Sequence, residues 1–470
     1  MRIGSYNATA RYRNSINRTY EQQTKIMEMS DGDRIHRPSD DCVGYSKYLR
    51  HSITYGENAQ YQTNVKTAIS WMKNTDAALV DMANAFSKVV VKSNQADGAN
   101  SDADMRAIAG EMLVQVQQAV ADANTNVNGR YLFSGQKDLV QPYEISKEMK
   151  PRGLAKTLDD PQSNFFIGEY YDDEKGKTVN LEPTKSGDVK QMLTMYGDNG
   201  NVYYLNTKNG KVYTQEFMDE RYKEKIAKGQ QYVQDGDEAG DISDWGDSLH
   251  VSEYFDAYGV FDEDKAGSAV WEITEGGKTV KLRFATVEQY IVEYKGDRKQ
   301  FSMVKENGTA RPTNDTVNAS GVEIAGRGIF DNEDSGHDAV SGANAFNDMF
   351  TVVAMCDHGA GVWDEEEKEW VQTAKPNSNW MDSDGKTLAN NAYNTVNSAQ
   401  TRIASRQSVY ADCQAMLSTE SQTVLGDITE IHSTDVSKLA VDMMTLQTVY
   451  NLSLNVGSKV LPMSLVDYLH

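Results

Sequence analysis

Helical repeats at both ends of this 470-residue chain enclose a middle of a different kind. From about Val65 to Val127 and from about Leu388 to Leu465, apolar side chains recur at steps of three and four with almost no proline. From about Pro142 to Phe330 the sequence reads instead as short β-prone runs broken by glycine turns. A chain that departs as helix and returns as helix must lay its two ends together, because neither end buries an apolar stripe alone. The expected fold is α+β: a long antiparallel helical bundle or coiled coil formed by both chain ends, with an inserted β-rich domain. Such a subunit is suited to stacking lengthwise, so assembly is expected before catalysis.

The first seam runs Val65, Ile69, Met72, Asp76, Leu79, Ala83, Phe86 and Val90, with Asp76 its one polar member. After a loop rich in Asn, Asp and Gly (94–104), a second seam runs Leu113, Val116, Val120, Ala123 and Val127. The short link predicts antiparallel neighbours. The C-terminal half answers with Val396, Ala399, Ile403, Arg406, Tyr410, Cys413, Leu417, Glu420 and Val424, broken in polarity at Arg406 and Glu420. One helix from Thr387 to about Ile431 would be roughly 65–70 Å long.

The outermost ends are thinner. Tyr12, Ile16, Tyr20 and Met27 make a sparse stripe; Val436, Leu439, Met443, Leu446, Tyr450, Leu454 and Leu461 make a fuller one. Two such helices bury too little apolar surface to offset their own ordering entropy. They are expected to be loose in the monomer and to order between neighbouring subunits. The expected assembly interface is therefore Ile16, Tyr20, Met27, Leu439, Met443, Leu446, Tyr450, Leu454 and Leu461.

Three hairpins are legible in the middle. Val202–Tyr213 turns at Asn209-Gly210, Val270–Phe284 at Gly276-Gly277, and Tyr290–Val304 at Gly296-Asp297.

A net charge of -22 argues against an extended contact with nucleic acid phosphates. The start holds no ordinary secretory signal, and no stretch is apolar enough to span a membrane. Cys42, Cys356 and Cys413 lie far apart, so neither a disulfide framework nor a zinc cluster is indicated, and burial is the ordinary habit of a free thiol. No HExxH, phosphate-binding loop or GxSxG elbow occurs. The histidines show no ligand spacing. Asp382-Ser383-Asp384-Gly385 has the look of a calcium loop, but Trp380 and Asn391 stand where ligands are needed. Asp331–Asp338 reads as a loop and Glu365–Glu367 as a solvated charge run. No catalytic residue, cofactor or metal site is expected.

Met1-Arg2-Ile3 is followed, some thirty residues on, by Asp33-Arg34-Ile35-His36-Arg37-Pro38-Ser39-Asp40-Asp41, a combination that resembles the signature shared by flagellins and the flagellar hook–filament junction proteins. Gly129-Arg130-Tyr131-Leu132-Phe133-Ser134-Gly135 is similar to a loop of the junction proteins in particular, as is the ending from Tyr450 to Leu469. Tyr294-Lys295-Gly296-Asp297 and Gly321–Phe330 resemble parts of the family's β domain. Cys42 departs from the pattern by standing where proline is usual; Ser39 or Asp40 is expected to cap the helix that follows.

The resemblance implies terminal helices lining an axial core (1–36 and 437–470), a helical bundle domain (37–145 and 340–436) and a β-rich outer domain (146–339). It implies a structural adaptor of the bacterial flagellum, exported by the flagellar secretion apparatus without a cleaved signal peptide. Its implied partners are copies of itself, the other hook–filament junction protein, flagellin, and an export chaperone on the C-terminal helix. Rival readings are the flagellin filament subunit itself, against which the Gly129–Gly135 loop speaks, and an adhesin displayed by the β insert.

Overall fold

A computed structural model describes residues 4–157, 169–172, 177–180, 191–205, 211–216, 218, 240–241, 254–262, 270–297, 301, 316–326, 342–364, 366 and 369–460. Seven helices carry the argument: α1 (Gly4–Asp31), α2 (Cys42–Gln95), α3 (Asp102–Ala123), α4 (Gly321–Ala325), α5 (Asn344–Asp357), α6 (Lys386–His432) and α7 (Val436–Val460). The chain divides into two compact units, one of residues 1–67 with 412–470, the other of residues 68–411. Helical ends and an inserted β-rich region are thus the architecture, as the periodicity indicated. The long helix expected over 387–431 spans Lys386–His432.

In the larger unit the expected seams are core. Met72, Leu79, Phe86, Val116, Val120, Val396, Ala399, Ile403 and Tyr410 are all buried. Ser101 starts α3 with a capping box: its hydroxyl accepts from Asp104 N–H, and the Asp104 carboxylate accepts from Ser101 N–H. Lys92 of α2 pairs with Glu111 of α3 at 2.5 Å across the short link.

The hub is α5, in which every residue from Asn344 to Cys356 is buried. Phe346, Met349, Phe350 and Val353 make an apolar stripe, but the polar face of Asn344, Asn347, Asp348 and Thr351 is buried too, where periodicity alone would set it in water. Its polar side chains are all used. The fully buried Arg152 guanidinium donates to Asn344 Oδ1 (2.9 Å), Asp348 Oδ1 (3.0 Å), Thr351 Oγ1 (2.9 Å) and the Tyr258 carbonyl (3.0 Å). Asn347 takes both backbone groups of Val292, accepting from its N–H at 2.7 Å and donating to its carbonyl at 3.0 Å. A buried charge is tolerated on those terms, with nearly every donor matched.

The β region is an antiparallel sheet in the order 240–241, 211–214, 202–205, 191–197, 278–284, 271–275, with 155–157 also pairing 191–197. Two of the three expected hairpins form. Val212 pairs Leu205 and Tyr213 pairs Tyr204, although their turn lies outside the described residues. Trp271–Glu275 pairs Lys278–Phe284, and Gly276 and Gly277 both adopt positive φ (57° and 79°), as a primed turn requires. Buried and exposed residues alternate from Trp271 to Thr274, and the sheet's inner face closes over Phe255, Phe261, Phe284 and Leu282.

The third expected hairpin, Tyr290–Val304, has nearly all of its second arm outside the described residues. Val292–Tyr294 pairs with Tyr143–Ile145, placed about 150 residues earlier in the chain, while 302–304 fall outside the described residues. This pairing sets two buried aromatic side chains, Tyr143 and Tyr294, opposite each other.

Candidate assembly interface

Both terminal helices break where they meet. α1 ends at Gly32, whose φ of +81° few other residues would tolerate. α6 ends at His432, and α7 begins three residues after Ser433. The two breaks are tied to each other. Asp33 and Ser433 form an antiparallel bridge, Arg34 N–H donates to the His432 carbonyl (2.6 Å), and Thr434 N–H donates to the Gly32 carbonyl (2.9 Å). The Arg34 guanidinium donates to the Ile431 carbonyl at 3.0 Å, and His432 Nδ1 lies 2.8 Å from Asp33 Oδ1 with its ring stacked on Tyr48. This clasp is what the Asp33–Asp41 signature builds.

Within the loop, Asp40 Oδ2 accepts from the N–H groups of His36 (3.1 Å) and Arg37 (2.9 Å). Neither Ser39 nor Asp40 is the helix cap. Asp41 is, accepting from Val43 N–H (3.1 Å) and Gly44 N–H (2.9 Å), because the helix starts one residue later than expected, at Cys42. Cys42 therefore occupies the first helical position, where a missing N–H is harmless and proline is favoured. Its thiol donates to the Pro38 carbonyl at 3.0 Å and is exposed, Cys413 is half-buried, and only Cys356 follows the burial habit. Burial pushes the Cys356 thiol up to about 12. His36 Nε2 sits 2.7 Å from Asp31 Oδ2. The Asp31 carboxyl titrates below its ordinary value, first because Asp33 N–H donates to it and then because His36 does.

Beyond the clasp, α1 and α7 lie together, with Lys25 reaching both Glu28 (3.1 Å) and Asp442 (4.0 Å). The expected stripe divides between two roles. Leu439 is 2% exposed and already covered within the chain, with Met443 and Leu446 half-buried. Tyr20 (54%), Met27 and Tyr450 face outward. The side chains of Ile16 and Leu454 and the whole of Leu461 lie outside the described residues. A second apolar row on α7, Val441, Met444 (71%) and Leu452, is exposed with nothing over it, as are Ile26 and Met29 on α1. Their spacing of three and eight was readable in the sequence, but a single-stripe reading passes over the opposite face of the same helix.

Charge is divided as unevenly as apolar surface. Residues 1–67 and 412–470 hold 12 Lys and Arg against 14 Asp and Glu, a net of -2, so residues 68–411 carry -20 of the total. Little repulsion opposes bringing copies of the smaller unit together.

In the larger unit, three other signature segments converge on Tyr294. Its hydroxyl donates to the Phe133 carbonyl (2.8 Å) of the Gly129–Gly135 loop, and Asp297 N–H donates to the Ser134 carbonyl (3.0 Å). A Cβ on Gly296 or Gly321 would overlap the Tyr294 ring, so both glycines are demanded by that side chain. Gly296 thus accommodates a ring where a hairpin turn was expected.

Among the described residues, no cluster of His, Cys, Asp and Glu is arranged to hold a metal ion. The calcium-like segment is a wide helical turn, Met381–Gly385, at the start of α6, and its Asp384 pairs with the buried Lys156 at 3.1 Å. Residues 331–338 lie outside the described set.

Residues 3–138 match the family described as the bacterial flagellin N-terminal helical region. The flagellar hook-associated protein 3 of Escherichia coli (strain K12) is 31% identical over 178 residues, covering 36% of this chain and 55% of that protein. The Salmonella typhimurium (strain LT2) protein of the same name is 28% identical over 150 residues, covering 31% and 46%. The chain thus spans about half the length of the curated relatives it matches. Among solved structures, a flagellar hook-associated protein of Vibrio parahaemolyticus aligns over 84% of this chain and 100% of that chain, at 13% identity and a TM-score of 0.38. The flagellar junction protein FlgL of Legionella pneumophila aligns over 82% and 100%, at 12% identity and a TM-score of 0.34.

Proposed function

We propose that this chain, flagellin-like through residues 3–138, is a structural adaptor subunit of the bacterial flagellum, joining the hook side to the filament by helical self-assembly. The observation that carries the reading is the pair of clasped terminal helices with uncovered apolar rows: Tyr20, Met27, Met444 and Tyr450 are exposed on two helices that pack against each other. Contacts of one face against a different face of the next copy propagate as an open helix wherever the rotation between copies does not close a ring. The near-neutral smaller unit suits close axial packing, while the strongly acidic remainder suits an outer, solvated position.

On this reading the division at 1–36, 37–145, 146–339, 340–436 and 437–470 is one of axial, bundle and outer parts. The axial parts are loose in a lone subunit and order between neighbours. The partners are further copies of the chain, the other junction protein, flagellin, and an export chaperone gripping α7 by its apolar rows. Export proceeds without cleavage of a leader, and the protein performs no catalysis.

Location tests this. Antibody against the chain should mark a single spot at the outer end of the hook. Label running along the whole filament would make the chain a bulk filament subunit instead.

A further inference from the structure

The outward face of α3 differs from the unit that carries it. Residues 68–411 hold a net charge of -20, yet residues 112–121 contain no charged side chain, although Val114, Gln117, Gln118 and Ala121 face water. Gly110 lies one turn before Val114 on the same face, exposed in mid-helix. A Cβ there would meet no other atom within 4 Å. Alanine would favour the helix, so packing among the described residues does not call for a glycine at that position. Beside Gly110 a pocket of about 130 Å³ opens between α3, α5 and the strand Thr286–Gln289, lined by Leu113, Met149, Tyr290, Phe350 and Val353. An apolar cavity of about 150 Å³ takes up benzene, so this one has room for a single aliphatic side chain.

We propose that this pocket receives Leu139 of a second copy of the chain. Leu139 stands in the loop after the Gly129–Gly135 segment and is 76% exposed, with Val140 beside it also in water. Charge selects the occupant. A basic partner would be met best by an acidic face, whereas an uncharged face suits another acidic body, and the larger unit of a second copy is one. The rims also match: Asp138 is paired with Arg130 at 3.0 Å, so Lys137 gives the loop its net positive charge, while the pocket sets Arg106 against the two carboxylates Glu288 and Asp357. Leu139 and the pocket occupy different places on the molecule. Its loop is tied to the end of α3, where Asn124 exchanges two hydrogen bonds of 2.9 Å with the Tyr143 backbone, roughly 20 Å along the helix from Gly110. A projecting apolar side chain and a pocket elsewhere on the same molecule make a head-to-tail contact, repeated from copy to copy. Gly110 lets the incoming loop come close. The contact deepens the assembly reading and rests on it.

The test mixes two full-length chains in a Cys42→Ser/Cys413→Ala background, one carrying Val140→Cys and the other, with a longer tag, Met149→Cys. A short bismaleimide added to the concentrated mixture should join one chain of each kind. Adding Leu139→Asp to the first chain, or Gly110→Glu to the second, should cut that yield about tenfold or more, since each sets a charge in the contact. Both positions are open to water, so neither change should lower the melting temperature. Absence of the mixed product, or a yield untouched by both substitutions, overturns the contact, even if antibody marks the outer end of the hook. A mixed product from a chain whose label runs along the whole filament keeps the contact and removes the adaptor reading.

Discussion

Arg406 of α6 meets Glu323 of α4 through both Nη atoms, with both side chains out of reach of water. This pair accounts for the polar break in an otherwise apolar seam: a cation is needed where α4 presents its carboxylate. Arg402 supports the same partner, donating to the Glu323 carbonyl at 2.8 Å with Nε 3.6 Å from its carboxylate. Removing one member of a buried pair typically costs about 3–5 kcal/mol. Glu323→Leu, which strands Arg406, should therefore destabilise more than Arg406→Met, after which Glu323 keeps Arg402. The double variant should recover most of the loss in urea unfolding.

The Tyr294 nest makes opposite demands on size. Tyr294→Phe leaves the Phe133 carbonyl without its donor and should cost about 1–3 kcal/mol. Gly321→Ala pushes a methyl into the ring and should cost a similar amount through strain. Thermal unfolding of both variants checks this, and Gly321→Ala combined with Tyr294→Leu should relieve part of the strain.

Asp31 makes the clasp acid-sensitive. Its carboxyl is held below the usual range by Asp33 N–H and His36, so its contribution is present above the unfolded carboxylate value of about 3.9. The contribution is lost as pH falls through the lower folded value. Carbon-detected NMR of the side-chain carboxyl should show the depressed midpoint, and His36→Ala should move it part of the way back.

Aspartate on α7 separates inward from outward faces. Met444→Asp sits in water and should change monomer stability by no more than about 0.5 kcal/mol while halting polymer growth. Leu439→Asp buries a charge and should loosen α1 from α7 in the monomer itself. Circular dichroism paired with sedimentation distinguishes the two, and polymerisation of the Met444→Asp chain would remove α7's outer row from the proposed interface.

What was legible in the sequence follows from how each element is covered. α6 was readable to within a residue at each end, because one of its faces is wet and the other dry. The Gly276-Gly277 hairpin was readable because its turn chemistry is local. The burial of α5 on every side was not, since its Asn344, Asn347 and Thr351 look like surface residues until Arg152, Val292 and Gln289 are brought to them. The pairing of Val292–Tyr294 with Tyr143–Ile145 was hidden because the partner is distant, while Gly296-Asp297 offered a plausible local turn. For the interface, the stripe on α7 could be read but its orientation could not. Which of two apolar rows turns inward is settled by α1, a helix about four hundred residues away in the chain, against which α7 packs.

The bridge between Asp33 and Ser433 couples the first thirty residues to the last. The end of α1 and the start of α7 are thereby held at one shared anchor. In a subunit that joins two unlike lattices, as proposed, that anchor keeps the inner ends of both terminal helices together while the layers on either side differ.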